Sequence, residues 1–535
     1  MQNKVKEIIL NCEKIERRFA LMSGGKLEEY QIEHEDNTPK PGDIYLGKIV
    51  NLDTSLQAAF VDIGAPKNAF LHFNEMLPGN SSLIEQYKDS QADKAITAKR
   101  KKRKNQNPDS KISAEVSRRK ATSTLSMIPE IFKPGMEILV QVVKAPISTK
   151  GARVSTDISI PGRFLVLMPY SEHIGLSTRI ESTAERERLR KILESLELPE
   201  GMGLICRTVG EGRRSTFFKR DLELLLDYWK QIETGMEKYC APRQLFTEPN
   251  LIERTVRDFV TDEIAGITVD DPAAHKQIRD TLKRIGGSKM VSRIHLYSGT
   301  EPIFEYYKVN DQLTEIFQRE VPLPGGGAIV IDETEALIAI DVNTGHGRKS
   351  AEQPDFILKT NMEAAEEIAR QLRLRNVGGL VVLDFIDMKS SSDRDELFRY
   401  MKKLVKDDRA KTKVLPLSKL GLMEMTRQRE QESIKDQVYT RCPYCSGSGH
   451  VKSPLTMSAE IQRQLSAVMR DRKYKGVALR VFMHPEVLAR LRNEDAVLLS
   501  AMEQKYKHEL SFRADPMLHY EEFKLVDAVT GVEVK

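Results

Sequence analysis

The sequence predicts an α+β protein built from several domains. Its 535 residues are enough for about three or four domains at roughly 100–200 residues each. Near the N-terminal end, short runs rich in branched and aromatic residues are separated by Asp, Ser, Gly and Pro, which is typical of a strand meander. Further along, segments with helical spacing of apolar residues alternate with strand-like runs. These patterns together indicate a mixed α and β architecture.

A small antiparallel barrel of the OB type is predicted in the first third of the chain. The runs IYLGKIV, QAAFVDIG and NAFLHF lie within residues 42–76. Two further strand-like runs lie within residues 135–145 and 152–156. Five short strands over about a hundred residues match an OB-type barrel.

The predicted barrel carries candidate nucleic-acid-binding residues. Phe60 and Phe70 fall on neighbouring strands, and Lys150 lies in the loop TKGAR. Aromatic rings on the face of such a barrel stack on bases, and a nearby lysine meets phosphate. A single Phe is more often a core residue, so the packing alternative stays open.

Positive charge is concentrated inside this barrel region. The whole chain carries a formal charge of +5, from 83 Lys and Arg against 78 Asp and Glu. Residues 94–120 contain 11 basic and 2 acidic residues, a local charge of +9, so the remainder carries −4. We predict a disordered basic loop that attracts nucleic acid through its phosphates, with a merely solvated loop as the alternative.

After the barrel, strands and helices alternate as far as residue 249. A helix is predicted over 183–198 and a strand over 203–209. Arg207 and Thr208 end the apolar run GLIC. A guanidinium beside a hydroxyl suits a phosphate, although a lone arginine at a strand end is usually part of a surface ion pair.

Two aspartates end strands in the second half of the chain. The runs AIVID and ALIAIDV are joined by a tight turn, a helix is predicted over 361–375, and the buried strand LVVL follows. Asp341 and Asn343 share one side by the strand period, and Asp384 ends LVVL. Neighbouring strands would bring the aspartates together at the carboxyl edge of one sheet, where they suit Mg²⁺. The alternative is that they only make turns.

A cysteine pair near the C-terminal end has zinc-knuckle spacing. Cys442 and Cys445 form C-x-x-C with a glycine-rich exit. Structural zinc takes four ligands, and even with His450 the chain offers too few, so two chains sharing one ion would complete the site. This predicts a homo-oligomer, with a redox pair or two free thiols as alternatives.

Composition excludes several protein classes. No stretch approaches about 18 uncharged apolar residues, so we expect no transmembrane helix. We also expect no secretory signal. Five cysteines in a long chain argue against a disulfide framework and favour a reducing cytoplasm.

Long motifs along the chain resemble the ribonuclease E/ribonuclease G family. The resemblance is carried by YLGKIVNLDTSLQAAFVDIG, LPEGMGLICRTVG, AIVIDETEALIAIDVNTG, EEIARQLRLRNVGGLVVLDFIDM, GLMEMTRQR and RCPYCSGSGHV. It covers nearly the whole chain outside the basic insert. In length the chain is more similar to ribonuclease G. The resemblance implies an endoribonuclease that cuts single-stranded RNA in rRNA and tRNA maturation and in mRNA decay.

The resemblance also implies roles for individual residues. Asp341 and Asp384 match the family's Mg²⁺ ligands, and Asn343 matches its supporting amide. Cys442 and Cys445 match the pair that shares zinc between two protomers of a dimer of dimers. Phe60, Phe70 and Lys150 match RNA-contacting positions of the barrel.

A pocket that senses a 5′-monophosphate on the RNA is implied as well. Its matching positions are Gly162, Val166, Arg207 and Thr208, and Lys411 stands where the family has an arginine. Lysine keeps the charge but lacks the planar fork of arginine.

The family architecture implies a particular domain order. The implied parts are an RNase H-like domain split into 1–40 and 253–316, an OB-type RNA-binding barrel at 41–156 with the basic insert 94–120, a 5′-sensor region at 157–252, a DNase I-like catalytic domain at 317–440, a zinc link at 441–452 and a small α/β domain at 453–535. The rival hypothesis is a non-catalytic RNA-binding or ribosome-associated protein, which has no reason to keep the carboxylate pair.

Overall fold

The computed structural model describes most of the chain. The described residues are 5–35, 38–80, 127–146, 150–284, 288–334, 336–344, 354–428 and 433–534. The basic insert 94–120 lies outside them, so its predicted disorder stays a prediction. The described chain divides into two compact units, residues 1–435 and 436–535. Within the described ranges, none of the helices combines the length and the apolar character that a membrane span requires.

The strands are numbered in chain order. They are β1 (Lys6–Cys12), β2 (Glu16–Ser23), β3 (Lys26–His34), β4 (Ile44–Asp53), β5 (Ala58–Asp62), β6 (Ala69–His72), β7 (Glu137–Lys144), β8 (Arg153–Ser155), β9 (Ile160–Pro161), β10 (Leu165–Met168), β11 (Ile174–Leu176), β12 (Gly203–Cys206), β13 (Arg243–Phe246), β14 (Ile264–Val269), β15 (Ile294–Leu296), β16 (Glu320–Pro322), β17 (Ala328–Glu333), β18 (Leu337–Asn343), β19 (Gly379–Asp384), β20 (Thr412–Val414), β21 (Leu422–Arg427), β22 (Leu479–Met483), β23 (Leu510–Ala514) and β24 (Phe523–Asp527).

The α-helices are numbered in the same way. They are α1 (Thr183–Glu194), α2 (Ser215–Lys238), α3 (Leu251–Asp258), α4 (Pro272–Arg284), α5 (Ser288–Val291), α6 (Ile303–Tyr306), α7 (Val309–Ile316), α8 (Pro354–Leu374), α9 (Ser391–Leu404), α10 (Ile434–Val438), α11 (Pro454–Arg470), α12 (Pro485–Asn493) and α13 (Ala496–Tyr506).

One mixed sheet joins two distant segments of the chain. Its strand order is β15-β14-β1-β2-β3, with β1 parallel to β14 and antiparallel to β2. Ile8 and Leu10 pack on one face and Ile9 packs on the other, so both faces of β1 are buried. The naming of this sheet as RNase H-like stays a prediction.

The predicted five-stranded barrel is confirmed. Strands β4, β5, β6, β8 and β7 follow one another round the barrel, and β7 pairs back with β4 to close it. Strand β13 pairs antiparallel with β4 and extends the sheet beyond the barrel strands. Alternating residues such as Ile49, Val61 and Leu71 fill the interior. The opposite side chains of the same strands therefore point outward.

A small sheet and two helices follow the barrel. The sheet has the order β11-β12-β10-β9, and its core includes Leu189 of α1 and Phe218 and Trp229 of α2. The predicted alternation of strands and helices in this region is therefore present. The predicted helix over 183–198 ends earlier, at Glu194.

The largest core belongs to a six-stranded sheet covered by two helices. Its order is β16-β17-β18-β19-β21-β20, and only β18 and β19 pair in parallel. Ala365 and Ile368 of α8 and Leu397 of α9 pack on its buried face. Helix α8 begins at Pro354, whereas the sequence predicts residue 361. The prediction rested on apolar spacing, which does not show that proline is a start signal at a first helical position.

The second unit has its own small core. Strand β22 lies between β23, which is parallel to it, and β24, which is antiparallel. Ile461 and Leu465 of α11 and Leu491 of α12 pack in the same core as these strands. Helices and strands thus share one small core in this unit.

Candidate active site

The two aspartates lie side by side at one end of the six-stranded sheet. Asp341 of β18 and Asp384 of β19 are direct register partners on neighbouring parallel strands. Asn343, two residues after Asp341, donates a hydrogen bond from Nδ2 to Asp341 Oδ2 at 2.9 Å. The structure therefore brings together the three polar residues that the sequence places at strand ends.

Strand alternation directs these side chains away from the core. Ile340 and Leu383, the residues just before the two aspartates, are buried, whereas Asp341 and Asp384 are exposed. Partial burial and the negative charges of Asp341 and Asp387 raise the pKa of Asp384. A bound cation would relieve this repulsion between like charges.

The segment after Asp384 is held by a buried asparagine. Asn361 of α8 donates from Nδ2 to the carbonyl of Ile386 at 2.9 Å, and the Ile386 N–H donates back to Asn361 Oδ1 at 3.1 Å. Asn361 is 0% exposed. Both polar groups of this amide are thus committed to the backbone two residues beyond Asp384.

The donor set fits Mg²⁺ better than a metal that needs several protein ligands. No group of three or more His, Cys, Asp or Glu residues is placed to hold an ion in the part of the chain that the structure describes. Mg²⁺ typically takes one or two carboxylates and completes its shell with water or substrate phosphate. Asp341 and Asp384, with the amide of Asn343, meet that requirement.

The barrel presents an aromatic pair on its outer side. Phe60 and Phe70 are register partners on β5 and β6, and their ring centroids are 6.1 Å apart with an interplanar angle of 78°. Both are half-buried. The residues that flank them, Ala59, Val61, Ala69 and Leu71, are fully buried. The core alternative is therefore not what the structure shows for these rings.

Lys150 lies beside the strand that carries Phe70. A Cβ on the next residue, Gly151, would collide with the carbonyl oxygen of Asn68, so only glycine allows this approach. The Phe70 N–H then donates to the Ala152 carbonyl at 2.7 Å. Lys150 itself is exposed at this edge of the barrel.

The residues assigned to the 5′-sensor converge around Arg207. Its Nη1 donates to the carbonyl of Gly162 at 2.6 Å, and its Nη2 donates to Asp258 Oδ1 at 2.7 Å. Val166 of β10 pairs with Ile205, two residues before Arg207. Thr208 directly follows Arg207.

Glycine is required at position 162. A Cβ there would lie 2.6 Å from Oδ2 of Asp221, a buried carboxylate. Asp221 accepts hydrogen bonds from the backbone N–H groups of Arg163, Phe164 and Leu165. The carboxylate thus shapes the turn whose carbonyl receives Arg207.

The segment that carries Lys411 packs against this region. Arg179 Nη2 donates to the carbonyls of Asp408 and Arg409, each at 2.6 Å. Asp408 also forms a buried ion pair with Arg427 of β21, with Nε and Oδ2 2.8 Å apart. Lys411 is exposed. These contacts connect the region around Arg179 to the six-stranded sheet.

In the second unit, Cys442 and Cys445 lie in a glycine-rich turn. Cys442 is exposed, and Cys445 Sγ accepts a hydrogen bond from the Gly449 N–H at 3.3 Å. The N–H groups of Gly449 and Gly447 lower the pKa of the Cys445 thiol. The thiolate form that binds metal is therefore easier to reach than in an unperturbed cysteine.

Two residues that support these sites were missed from the sequence. Asn361 occupies the apolar face of α8, in line with Ala365 and Ile368, and a polar residue on such a stripe is a detectable signal. Asp258 carries no comparable signal, because its partner Arg207 is distant in sequence.

The combination of an outward aromatic pair on a barrel and a separate pair of carboxylates is typical of a nuclease. Comparison with known proteins supports this class. The model of the ribonuclease E/G family matches residues 159–430, and the model of its thioredoxin-like domain matches residues 441–528. The second match includes Cys442 and Cys445, and its thioredoxin-like description was not anticipated from the sequence.

Curated relatives agree with the family models. Ribonuclease G of Escherichia coli (strain K12) is 34% identical over 522 residues, which cover 97% of this chain and 99% of the relative. Ribonuclease E of the same strain is 36% identical over 465 residues, covering 86% of this chain and 40% of the relative. Ribonuclease E of Buchnera aphidicola subsp. Acyrthosiphon pisum (strain APS) is 35% identical over 505 residues, with 94% and 52% covered.

The chain belongs to the ribonuclease E/G family. It is an endoribonuclease of RNA processing and decay. The rival hypothesis of a non-catalytic RNA-binding protein is therefore wrong.

Proposed function

We propose that the chain is a Mg²⁺-dependent endoribonuclease that cleaves single-stranded RNA, acts in rRNA and tRNA maturation and mRNA decay, and is stimulated by a 5′-monophosphate. The observation that carries the proposal is the register pairing of Asp341 with Asp384, with Asn343 bonded to Asp341. When bound, Mg²⁺ supplies a Lewis acid that polarises a phosphoryl oxygen. Asp341 and Asp384 hold the ion, and Asn343 keeps the Asp341 carboxylate oriented.

RNA binding is assigned to the barrel. Phe60 and Phe70 each offer part of a ring to solvent, and stacking on bases is possible only where bases are not paired. Lys150, exposed beside Phe70, supplies a cation for the phosphates. This combination favours single strands over duplexes.

The 5′-sensor is assigned to Gly162, Val166, Arg207 and Thr208, completed by Lys411. The bond from Arg207 to Gly162 and the packing of the Lys411 segment on Arg179 support this assignment. A terminal monophosphate carries more charge than an internal phosphate, so a guanidinium and an ammonium suit it.

A cleavage assay tests the catalytic proposal. A 5′-labelled single-stranded RNA should be cut in Mg²⁺, spared in EDTA, and cut again when Mg²⁺ is restored. A perfect duplex of the same sequence is the control and should be cut poorly. Equal cleavage with and without chelator would contradict Mg²⁺ dependence.

We further propose a homodimer that shares zinc through Cys442 and Cys445, assembled as a dimer of dimers. The lowered pKa of Cys445 and the absence of a third nearby ligand among the described residues support a shared ion. All five cysteines are unpaired, which suits a reducing cytoplasm.

Replacing both Cys442 and Cys445 by Ser tests the shared ion. We expect loss of bound zinc and a shift to smaller species in sedimentation. Cys240→Ser removes an exposed thiol elsewhere and is the matched control. An unchanged mass in the double variant would contradict the shared ion.

A further inference from the structure

Asp258, the last residue of α3, lies behind the proposed sensor. Its Oδ1 accepts from Arg207 Nη2 at 2.7 Å, and its Oδ2 accepts from Arg257 Nη2 at 3.0 Å. Its backbone carbonyl accepts from Arg409 Nη2 at 3.0 Å. One residue thus contacts Arg207 through its side chain and the Lys411 segment through its backbone.

The bonds to Arg207 fix that side chain but do not use all of its N–H donors. Asp258 holds one end of the guanidinium and the Gly162 carbonyl holds the other. A guanidinium carries more donors than these two bonds use, so it can be fixed and still present N–H groups to an anion. The Arg207 side chain keeps 27% of its exposure, whereas Asp258 keeps 18%.

A second arginine, Arg257, also contacts the Asp258 carboxylate. Arg257 bonds both Asp258 and Glu248, with Nη1 of Arg257 2.7 Å from Glu248 Oε1. Burial alone would raise the pKa of Asp258, but Arg257 and Arg207 lower it, so the carboxylate is ionised. Shared between two guanidinium groups, the carboxylate orients Arg207 through one bond and leaves other N–H donors of that guanidinium for an anion.

The Lys411 segment is held in place by two contacts of Arg409. The Arg409 guanidinium carbon lies 3.4 Å from the centroid of the Phe259 ring while its Nη2 bonds the Asp258 carbonyl. Arg409 is two residues before Lys411, so this contact limits where Lys411 can lie relative to Arg207.

We propose that Asp258 is a positioning residue for 5′-end sensing, orienting Arg207 with its carboxylate and anchoring the Lys411 segment with its carbonyl. The inference rests on the proposed sensor function. It differs from a competitor role, in which Asp258 would occupy Arg207 and weaken its hold on phosphate.

The test uses two RNAs of one sequence that differ only in a 5′-monophosphate or a 5′-hydroxyl. The measured quantity is the ratio of kcat/KM on the two RNAs, formed within one preparation, so that the folded fraction cancels. Oδ1 of Asp258 also accepts from Arg257 Nε at 3.2 Å, so Asp258→Asn keeps an oxygen acceptor there but loses the negative charge and turns an NH2 group toward Arg257 Nη2. Hydrogen bonds between two charged groups are roughly twice as strong as neutral ones, so Arg207 should be held less firmly and the ratio should fall roughly tenfold or down to one. The fall should appear mainly in KM for the monophosphorylated RNA.

Control variants separate positioning from other effects. Asp262→Asn, which removes an exposed carboxylate paired with Arg213, should leave the ratio unchanged. Asp258→Glu keeps the charge and should restore part of the ratio. Adding Asp258→Asn to Arg207→Gln should change the ratio no further, because the two residues act as a unit.

Three results would overturn the inference. An unchanged ratio in Asp258→Asn, with both rates lowered equally, would show a structural role only. A raised ratio would show a competitor. A wild-type ratio near one would overturn the proposed sensing itself, and with it this inference.

Discussion

The carboxylate edge and the proposed sensor pocket are assembled in different ways. Asp341 and Asp384 meet because their strands are neighbours in one sheet, and helix α8 lies between those strands in the chain. The sensor draws on separate segments, including the Gly162 turn, Arg207 and Asp258. The first depends on strand pairing, and the second depends on side-chain bonds between segments.

This difference predicts how each site responds to substitution. At the carboxylate edge the backbone is fixed by the sheet, so replacing a carboxylate removes chemistry and little else. In the sensor, partly exposed ion pairs hold the geometry, so losing one bond also displaces its partner. Effects should therefore be large and separable at the edge, and smaller and coupled in the sensor.

The largest effect is expected from Asp341→Asn. The substitution keeps the shape of an exposed side chain but removes a charge that holds the ion, so cleavage should fall about 10³-fold or more. RNA binding, measured by fluorescence anisotropy in EDTA, should stay within about twofold because the barrel has a hydrophobic core of its own, to which Asp341 does not belong.

A matched control for this variant is Asp332→Asn on the neighbouring strand β17. Asp332 pairs with Arg319 at the surface, so its loss should leave the cleavage rate unchanged. Wild-type cleavage by Asp341→Asn in Mg²⁺ would remove the carboxylate from the proposed mechanism.

A smaller loss is expected from Asn361→Asp, which tests whether the edge is as self-contained as strand pairing suggests. The carboxylate can accept from the Ile386 N–H but repels the Ile386 carbonyl, so the segment after Asp384 should shift. Losing such a supporting contact typically costs about 10–100-fold in metal affinity or activity. Isothermal titration with Mg²⁺ and the cleavage rate would both be measured.

Asn310→Asp is the control for this substitution, since Asn310 bonds Glu305 at an exposed position. If Asn361→Asp bound Mg²⁺ and cut RNA like the wild type, the helix contact would be unnecessary and the edge would be independent of α8.

Much of the fold and of the edge follows from local rules. Short runs rich in branched and aromatic residues, separated by turn residues, predicted the barrel strands, and the apolar run before Asp384 predicted a strand buried in a sheet. The strand period and the parallel pairing of β18 with β19 then account for the meeting of Asp341 and Asp384.

The remaining parts depend on packing that a single sequence does not encode locally. The bond between Arg207 and Asp258 spans 51 positions, and that between Arg409 and Asp258 spans 151. Arg257 beside Asp258 reads as an ordinary charged pair on a helix end. Only the tertiary fold shows that the same carboxylate also reaches Arg207.

The barrel face is a second site built from neighbouring strands, but its two rings contact each other, unlike a site of separable groups. Replacing Phe60 or Phe70 by Ala removes one stacking surface, which should weaken binding of a single-stranded RNA by about 1–2 kcal/mol, roughly 5- to 30-fold. The two effects should couple, because the rings contact each other.

Tyr306→Ala is the control, since Tyr306 is an exposed aromatic residue in another region. Anisotropy with a short labelled RNA measures the affinity. If both Phe variants bound RNA as tightly as Tyr306→Ala, the outward rings would have no part in binding.

The smallest effect is expected in the sensor, from Lys411→Arg. Lysine offers a point charge, whereas arginine can make two parallel hydrogen bonds to a phosphate. The substitution should therefore raise the stimulation by a 5′-monophosphate by roughly two- to fivefold, with little change on 5′-hydroxyl RNA. Lys402→Arg on the exposed side of α9 keeps the same chemical change away from the pocket. Because the Asp258 carboxylate holds Arg207, the other cation proposed for the phosphate, the gain should shrink in Asp258→Asn. A gain that persisted in full would show that position 411 reaches the phosphate without help from Arg207, and the sensor would then be less coupled than its contacts indicate.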